Sequence, residues 1–245
     1  MLNIFRKKKG RLFPSGYIDI HNHILPGIDD GSPDVETSIY LLEELRELGI
    51  RKLVFTPHVM EGVWENSTTD IAATLEILEA EWDTRNRDGF SLHAAAEYMM
   101  DEGFLARLER RDLLPISGNI LLVEMSFVSP PMHLYKTIAD IQVAGYRPLL
   151  AHPERYFFLH QDWEEYKKLR SAGCLFQLNM LSMSHYYGKE VRNTALQLLK
   201  KGYYHYIGSD LHHERHLHQI QKLAERKEFW RKVEPLMENN SQLVR

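Results

Sequence analysis

Seven short apolar or β-branched runs alternate with amphipathic segments along most of this chain. In order, the runs are YIDIH, RKLVFT, SLHAAAE, NILLVEM, RPLLAH, CLFQLN and YYHYIGSD. Runs of this length and composition are typical of strands, and the apolar spacing of the segments between them is typical of helices. A regular strand–helix alternation predicts an α/β fold whose parallel strands are joined by right-handed crossovers.

The helical segments carry recognisable start and stop residues. DVETSIYLLEELRELG is preceded by Ser32 and Pro33, opens at Asp34 and closes at Gly49. Four later segments repeat the scheme: TTDIAATLEILEAEWDTRN, PMHLYKTIADIQVAG, DWEEYKKLRSAG and GKEVRNTALQLLKKG. The 245 residues contain no low-complexity linker. We therefore expect a flexible basic segment over 1–16 and one domain over 17–245.

Histidine and carboxylate side chains stand at the ends of nearly all the predicted strands. Following the runs in order, they are His21, His23, His58, Glu97, Glu124, His152, Asp210 and His212. In a barrel of parallel strands all the C-termini converge on one face, whereas an open sheet gathers its ligands at one switch point. The even distribution over the strands therefore favours a barrel.

This set of side chains has the chemistry of a metal cluster. Residues i and i+2 of a strand project to the same face, so His21 and His23 can reach one cation. With an aspartate of the GIDDG loop the candidates number nine, more than the roughly four to six donors that one transition metal takes. Closely spaced metals stabilise the attacking and leaving oxygens of phosphoryl transfer. Hydrolysis of a phosphoester is the first hypothesis.

Composition excludes several other classes of protein. A net charge of −4 and a pI near 6.4 give no basic footprint for nucleic acid. The basic start MLNIFRKKKG is not followed by the apolar stretch of a signal peptide, and no transmembrane run is found. Cys174 is the single cysteine, which excludes an internal disulfide and predicts a buried thiol in a cytoplasmic protein.

Five stretches closely resemble the PHP (polymerase and histidinol phosphatase) superfamily, in particular bacterial tyrosine phosphatases encoded with capsule and exopolysaccharide genes. They are DIHNHILPGIDDG, TPHVMEG, ILLVEM, AGYRPLLAHPERY and GSDLHH. The resemblance runs from about Tyr17 to about His213. It implies a distorted (β/α)7 TIM-like barrel, the PHP fold, with a metal cluster at the strand C-termini. It also implies two or three divalent transition metal ions, with manganese preferred over iron or zinc.

The resemblance further implies how the ligands divide among the metals. One metal would be held by His21, His23, Glu97 and Asp210. A second would be held by Asp30, His58 and His212, and a third by Glu124 and His152 with Glu97 bridging. The choice of Asp30 over Asp29 rests on the resemblance alone. Asp29 either supports a ligand by a hydrogen bond or caps the loop.

Two arginines are candidates for contacting a substrate phosphate. Arg155 lies in HPERY, where a guanidinium fork matches phosphate oxygens; the alternative is a surface arginine paired with Glu154. The resemblance also implies an arginine beyond the last Asp-x-His, and Arg215 is the candidate, although it stands closer to the histidine than in relatives. His213, His216 and His218 are either solvated helix-start residues or groups that modulate the site by protonation.

Three further expectations concern residues around the site and the end of the chain. Asn179 faces the site if the sixth strand keeps its register. Tyr156, Phe157 and Phe158 either wall the pocket or pack in the core. The helical segment from about His218 onward packs either on its own barrel, which we favour, or on another subunit.

The resemblance implies a metal-dependent protein-tyrosine phosphatase that regulates capsule and exopolysaccharide synthesis. Its partner would be the phosphotyrosine-containing C-terminal tail of a membrane-associated bacterial tyrosine kinase, with no nucleic acid and no stable membrane insertion; an oligomer is left open. The alternatives are a histidinol-phosphate phosphatase or another PHP phosphoesterase, a 3′ exonuclease, and a non-enzymatic metal-binding regulator that docks on a kinase.

Overall fold

Strands and helices alternate along the chain, as the sequence predicts. The computed structural model describes residues 12–85 and 90–243. The strands are β1 (Ile18–Asp19), β2 (Lys52–Phe55), β3 (His58–Val59), β4 (Ser91–Ala94), β5 (Glu97–Met99), β6 (Ile120–Glu124), β7 (Arg147–Ala151), β8 (Leu175–Asn179) and β9 (Tyr206–Gly208). The helices are α1 (Val35–Leu48), α2 (Thr68–Thr84), α3 (Glu102–Arg110), α4 (Leu134–Val143), α5 (Trp163–Ser171), α6 (Lys189–Lys200), α7 (Glu214–Ala224) and α8 (Lys227–Leu243).

All strand pairings among the described residues are parallel. One sheet has the order β1-β2-β4 and the other the order β3-β5-β6-β7-β8-β9. The prediction of an α/β fold with parallel strands is confirmed, and the sheet forms a half-barrel. Short 3-10 helices at Pro153–Arg155, Phe157–Leu159 and Met180–Met183 follow β7 and β8.

Two of the seven predicted strands are each divided into two segments. Between β2 and β3 stands Pro57, which has no N–H to donate to the ladder. Between β4 and β5 the backbone stays hydrogen-bonded to the end of β2 and to the segment that joins β2 to β3. Ala95 N donates to Phe55 O, and Glu97 N donates to Pro57 O. His58 and Glu97 therefore begin β3 and β5, whereas the sequence placed them at or beyond the strand ends.

The first and last strands approach each other at their C-terminal ends. Asn22 and Leu211 form a parallel β-bridge. Asp210 N donates to His21 O at 2.8 Å, and His23 N donates to Leu211 O at 2.8 Å. These backbone hydrogen bonds bring the HxH and DxH motifs side by side.

The predicted helices form with the expected caps. Asp34 accepts from Thr37 N at the start of α1, and Gly49 ends that helix with φ 102°, a conformation that favours glycine. Helix α3 was not predicted from the sequence, although Asp101 caps it by accepting from Phe104 N. Helix α3 lies between β5 and β6 in the chain and thus belongs to the regular alternation.

The C-terminal segment packs on the strands of its own chain, as favoured above. Phe229, Val233 and Leu236 of α8 are buried. The Asn240 amide donates to Ile18 O at 2.9 Å and to Ile207 O at 2.6 Å, and its oxygen accepts from Ile207 N at 3.1 Å. Asn240 therefore ties α8 to β1 and β9.

The packed part of the chain begins before residue 17, where the predicted domain starts. Residues 1–11 of the predicted flexible segment lie outside the described residues. Phe13, in contrast, is buried, and its ring lies 5.3 Å from Tyr17 and 5.2 Å from Trp230. Cys174 is buried, as predicted. Among residues 12–85 and 90–243, no helix is both long and apolar enough to cross a membrane.

Candidate metal centre

The nine predicted ligands come together in four overlapping groups beside the C-terminal ends of the strands. Within each group one donor atom per residue lies within 4.8 Å of the others. The groups are His23, Asp30, His58 and His212; His21, His152 and Asp210; His21, His23 and Glu97; and His58, Glu97 and Glu124. Since members recur between groups, the donors form one continuous cluster.

The loop after β1 carries two aspartates back to the strand end. Ser32 N donates to His23 O at 2.9 Å, which folds the GIDDG loop over the strand. A Cβ on Gly31 would lie 2.0 Å from His23 O, so only glycine fits at this close approach. The fold of the loop places Asp29 and Asp30 beside the histidines.

His21, His23 and Glu97 form the most deeply buried part of the cluster. His21 Nε2 lies 3.2 Å from His23 Nε2 and 3.1 Å from Glu97 Oε2, and His23 Nε2 lies 3.3 Å from the same oxygen. Asp210 Oδ1 lies 3.3 Å and 3.4 Å from the two imidazole nitrogens. Ligands about 2.0–2.2 Å from a metal stand roughly 3.0–3.5 Å apart, so these separations fit a shared cation.

Three buried atoms of the cluster lack hydrogen bonds. Among the described residues, Glu97 Oε1, His58 Nδ1 and His152 Nδ1 make none of acceptable geometry. This is so although Glu97 Oε1 lies 3.2 Å from His152 Nε2, and His58 Nδ1 lies 2.9 Å from Glu124 Oε1. An unsatisfied buried polar atom costs about 1–3 kcal/mol. Coordination of divalent metal ions would remove this cost, so the donor set fits such ions.

The outer part of the cluster is open to solvent. Asp30 has a side chain that is 51% exposed, and its Oδ1 lies 3.6 Å from His58 Nε2 and 3.5 Å from His212 Nε2. The rings of His23 and His212 stack with centroids 4.0 Å apart. The structure thus brings Asp30, His58 and His212 together at the mouth of the site.

Two residues outside the ligand set orient the buried histidines. Asp29 Oδ2 lies 2.7 Å from His23 Nδ1 and also accepts from His58 N, while Asp29 Oδ1 accepts from Gly31 N. Both roles considered for Asp29 are therefore present. His21 Nδ1 lies 2.8 Å from Gln177 Oε1. Gln177 was not predicted from the sequence; its signal is a polar residue inside the buried run LFQLN.

The electrostatics of the cluster reflect opposite charges packed together without solvent. Burial alone would lower the pKa of His21, but the carboxylates of Glu97 and Asp210 outweigh it and raise the pKa to about 9. Burial would raise the pKa of Asp29, but His23 lowers that pKa to about 2. The pKa values of Glu97 and Asp210 are lowered in the same way, since His21 outweighs their burial. The site thus holds ionised carboxylates.

Two ligands have backbone in the left-handed region, as do Arg111 and Gln161 outside the cluster. His152 has φ 34° and Asp210 has φ 52°, conformations that non-glycine residues rarely adopt. Such strain persists where surrounding structure fixes it, and it occurs frequently at functional sites.

Arg155 lies at the edge of the cluster between two aromatic rings. Its Nη1 donates to Asp210 Oδ2 at 2.7 Å, and its guanidinium carbon lies 4.5 Å from the centre of the Phe127 ring and 4.3 Å from that of Tyr187. The side chain is only 20% exposed. Burial would lower the pKa of Arg155, but Asp210 outweighs it and raises that pKa, so the group stays charged.

The alternative in which Arg155 pairs with Glu154 at the surface is wrong. Glu154 is buried, where it accepts from Tyr204 OH at 2.8 Å and from Asn179 N at 3.0 Å. The Asn179 amide donates to Asp210 Oδ2 at 2.7 Å, so Asn179 faces the site as its register predicts.

The structure does not bring Arg215 to the site. It is exposed in the first turn of α7 and lies outside the residues that line the metal cavity. His213 caps α7, and His218 is half exposed, so both fit solvated positions. His216 does not, because it is buried with Nδ1 3.2 Å from Asp210 O. The cap fixes α7 directly after His212 and leaves Arg215 on the outer face.

A cavity of about 940 Å³ leads from the cluster to the surface. Trp64 and Phe127 form an aromatic lining, and the Trp64 ring stacks on His58 with centroids 4.9 Å apart. Tyr156 is instead buried in the core, where its hydroxyl donates to Ala151 O, and Phe157 is exposed. Trp64, Phe127 and Tyr187 were not predicted from the sequence, because their roles depend on contacts between distant loops.

Comparisons with known proteins show which family the chain resembles. The model of a family described as capsular polysaccharide synthesis, CpsB/CapC, matches residues 17–244. Tyrosine-protein phosphatase YwqE of Bacillus subtilis (strain 168) is 27% identical over 236 residues, which cover 93% of this chain and 91% of that protein. A solved chain from the metal-dependent tyrosine phosphatases YwqE of Bacillus subtilis and CpsB of Streptococcus pneumoniae has a TM-score of 0.82 at 26% identity, covering 93% and 94% of the two chains.

A more distant solved structure shares the fold alone. It is the histidinol phosphate phosphatase of Lactococcus lactis subsp. lactis, with a TM-score of 0.51 at 13% identity over 86% of this chain and 94% of that one.

Proposed function

The chain belongs to the CpsB/CapC family of capsular polysaccharide synthesis, and from this premise we propose that it is a metal-dependent protein-tyrosine phosphatase serving capsule and exopolysaccharide synthesis. One observation carries the proposal: the buried histidine and carboxylate cluster shares a cavity with a clamped arginine and an aromatic lining. A phosphate group, its charge and an aryl leaving group each have a complementary surface there.

We propose that the cluster holds two or three divalent ions, manganese in preference to iron or zinc. His21, His23, Glu97 and Asp210 would hold the first, Asp30, His58 and His212 the second, and Glu124 and His152 with Glu97 the third. The mixture of imidazole and carboxylate donors without thiolate supports this choice. When bound, such ions acidify a coordinated water and offset the charge of the phosphate.

Arg155 would bind the phosphate oxygens directly. One nitrogen of its guanidinium is engaged by Asp210, which leaves its other N–H donors for a ligand in the cavity. Phe127 and Tyr187 hold the plane of the group from both faces. A fixed, permanently charged donor stabilises the negative charge that develops on the phosphoryl oxygens in the transition state.

The leaving group would pass between the aromatic residues on its way out of the cavity. Trp64 lies over His58 on one side, and Phe127 lies beside Arg155 on the other. Both rings offer apolar surface to a phenol, which a short alkyl leaving group would not use. We propose as substrate the phosphotyrosines in the C-terminal tail of a membrane-associated bacterial tyrosine kinase, with no nucleic-acid partner.

We also propose that residues 17–245 form a single PHP domain with a distorted (β/α)7 barrel. Support comes from the Asn22–Leu211 bridge between the first and last strands and from the backbone hydrogen bonds that run past Pro57 and Ala95. Counting each divided strand once gives seven. We propose a cytoplasmic location, supported by the single thiol of Cys174, which excludes an internal disulfide.

The test compares substrates under identical metal conditions. Initial rates are measured with a tyrosine-phosphorylated peptide, a serine-phosphorylated peptide of the same sequence, and histidinol phosphate, each in the presence of manganese. We expect the phosphotyrosine peptide to have the highest kcat/KM. A preference for histidinol phosphate would move the protein to the alternative, a histidinol-phosphate phosphatase. Equal rates with both peptides would refute a role for the aromatic lining.

A further inference from the structure

Exposed apolar side chains are concentrated beside the metal cavity. Among the described residues, Val128, Met132 and Phe157 are 76%, 91% and 61% exposed, and Tyr135 is 41% exposed. These four residues, which we call the apolar shelf, lie in the loops that follow β6 and β7 or at the start of α4. Solvent-exposed apolar surface gathered in one place marks a binding surface more often than scattered single residues do.

The shelf continues the wall of the cavity. Phe127 and Val128 line the cavity, and the residues that follow, from Pro130 to Lys136, line a second groove of about 610 Å³. Phe157 N donates to Phe127 O at 3.0 Å, which joins the loop after β7 to the loop after β6. Since both loops follow strand C-termini, the shelf lies at the same end of the strands as the metal cluster.

We propose that the apolar shelf binds the stretch of substrate polypeptide that flanks the phosphotyrosine. The inference rests on the proposed function. With the phosphate at the buried cluster and the phenol ring along the cavity, the backbone that carries the tyrosine must lie at the cavity mouth. An extended strand leaving that mouth meets Val128 first and then Met132, so an apolar or aromatic side chain near the phosphotyrosine would be covered there.

We choose the substrate polypeptide as the occupant because the apolar shelf is continuous with the cavity. A surface reserved for a separate partner would not need to share a residue with the catalytic cavity, whereas Val128 belongs both to the apolar shelf and to the cavity wall. The groove is lined by Pro130 and Pro131, and a groove beside the cavity mouth suits an extended chain. A peptide of about four residues on each side of the phosphotyrosine reaches roughly 13 Å in each direction, enough to test this contact.

The experiment compares a small substrate with a long one in shelf variants and matched controls. The small substrate is phosphotyrosine with its two ends blocked, and the long one is a phosphotyrosine peptide with apolar flanking residues. The shelf variants are Met132→Ser and Phe157→Ser. The controls are Ile77→Ser and Val143→Ser, which remove apolar surface that is 58% and 87% exposed and lies outside both the cavity and the groove.

We expect the ratio of kcat/KM for the long substrate to kcat/KM for the small one to fall about 10-fold in a variant that combines Met132→Ser with Phe157→Ser. A 10-fold change equals about 1.4 kcal/mol, which corresponds to loss of about 55 Å² of buried apolar area at roughly 25 cal/mol per Å². The control variants should keep the wild-type ratio. Thermal unfolding of each variant would show whether any of them is misfolded.

The outcomes separate this proposal from the one on which it rests. Wild-type protein that hydrolyses the small substrate but gains nothing from flanking residues would overturn the shelf proposal alone. The shelf proposal alone would also be overturned if the shelf and control variants lower the kcat/KM ratio equally. It would be overturned as well if the shelf variants lower kcat/KM for the small and the long substrate by the same factor. Wild-type protein that hydrolyses neither substrate would overturn the proposed function and the shelf proposal with it.

Discussion

Tyr187→Ala should weaken phosphate binding by releasing Arg155. In the structure the guanidinium lies between the faces of Phe127 and Tyr187, at 4.5 Å and 4.3 Å from the ring centres. A cation–π contact contributes about 0.5–1 kcal/mol at exposed sites and about 2 kcal/mol when desolvated. Because the Arg155 side chain is 20% exposed, we take about 1 kcal/mol for the lost ring, which corresponds to a roughly 5-fold weaker interaction.

The assay is inhibition of an aryl phosphatase reaction by inorganic phosphate, together with KM, kcat and metal content. We expect Ki for phosphate and KM to rise about 5-fold at unchanged metal content, since Arg155 binds the phosphate in the ground state as well as in the transition state. Tyr187→Phe is the matched control. It keeps the ring, and the hydroxyl it removes lies 3.4 Å from Asn179 Nδ2, so the change should be below about 2-fold.

Two results would refute this reasoning. The first is an unchanged Ki for phosphate in Tyr187→Ala, which would mean that the ring does not position Arg155. The second is an equal loss in Tyr187→Phe, which would assign the effect to the hydroxyl rather than to the ring face.

Three further predictions concern the ligand support, the pH dependence and the fold. Asp29→Asn should weaken metal affinity about 10–100-fold in a metal titration, since Asp29 Oδ2 lies 2.7 Å from His23 Nδ1; unchanged affinity would contradict this. In metal-free protein the pKa of His21 is raised from 6.5 to about 9, so its protonated form stabilises the fold fully below pH 6.5, and this contribution is lost as the pH rises through about 9. Thermal denaturation at pH about 6 and about 9.5 should show the loss, and equal stability would exclude it. Asn240→Ala removes three buried hydrogen bonds and should cost about 3 kcal/mol in urea unfolding, whereas a cost below about 1 kcal/mol would contradict the contacts of α8.

The sequence predicts the site better than it predicts the surroundings of the site. His21, His23, His58 and Glu97 could be placed together because parallel strands joined by crossovers bring their C-terminal ends to one face. Gln177 could not be paired with His21, since 156 residues separate them and no local pattern specifies the contact.

Local details of backbone conformation account for the other differences. Arg215 was a candidate from the family resemblance, although it stands closer to His212 than in relatives, but the His213 cap starts α7 at once and turns the arginine outward. Pro57 divides the second strand, so that His58 opens a new segment instead of following the old one. The positions of Trp64, Phe127 and Tyr187 depend on how three loops pack against each other, which periodicity and composition do not encode.

We propose that hydrolysis of phosphotyrosine depends on buried metal ions and not on a thiol. Burial raises the pKa of Cys174 to about 12, so this group is not a thiolate at neutral pH. The most direct measurement follows turnover of a phosphotyrosine peptide after chelation and after return of manganese, in wild type, Cys174→Ser and His21→Ala/His23→Ala. The account predicts that chelation abolishes turnover, that manganese restores it in wild type and Cys174→Ser, and that the double histidine variant stays inactive. Turnover that survives chelation, or is lost in Cys174→Ser, would contradict it.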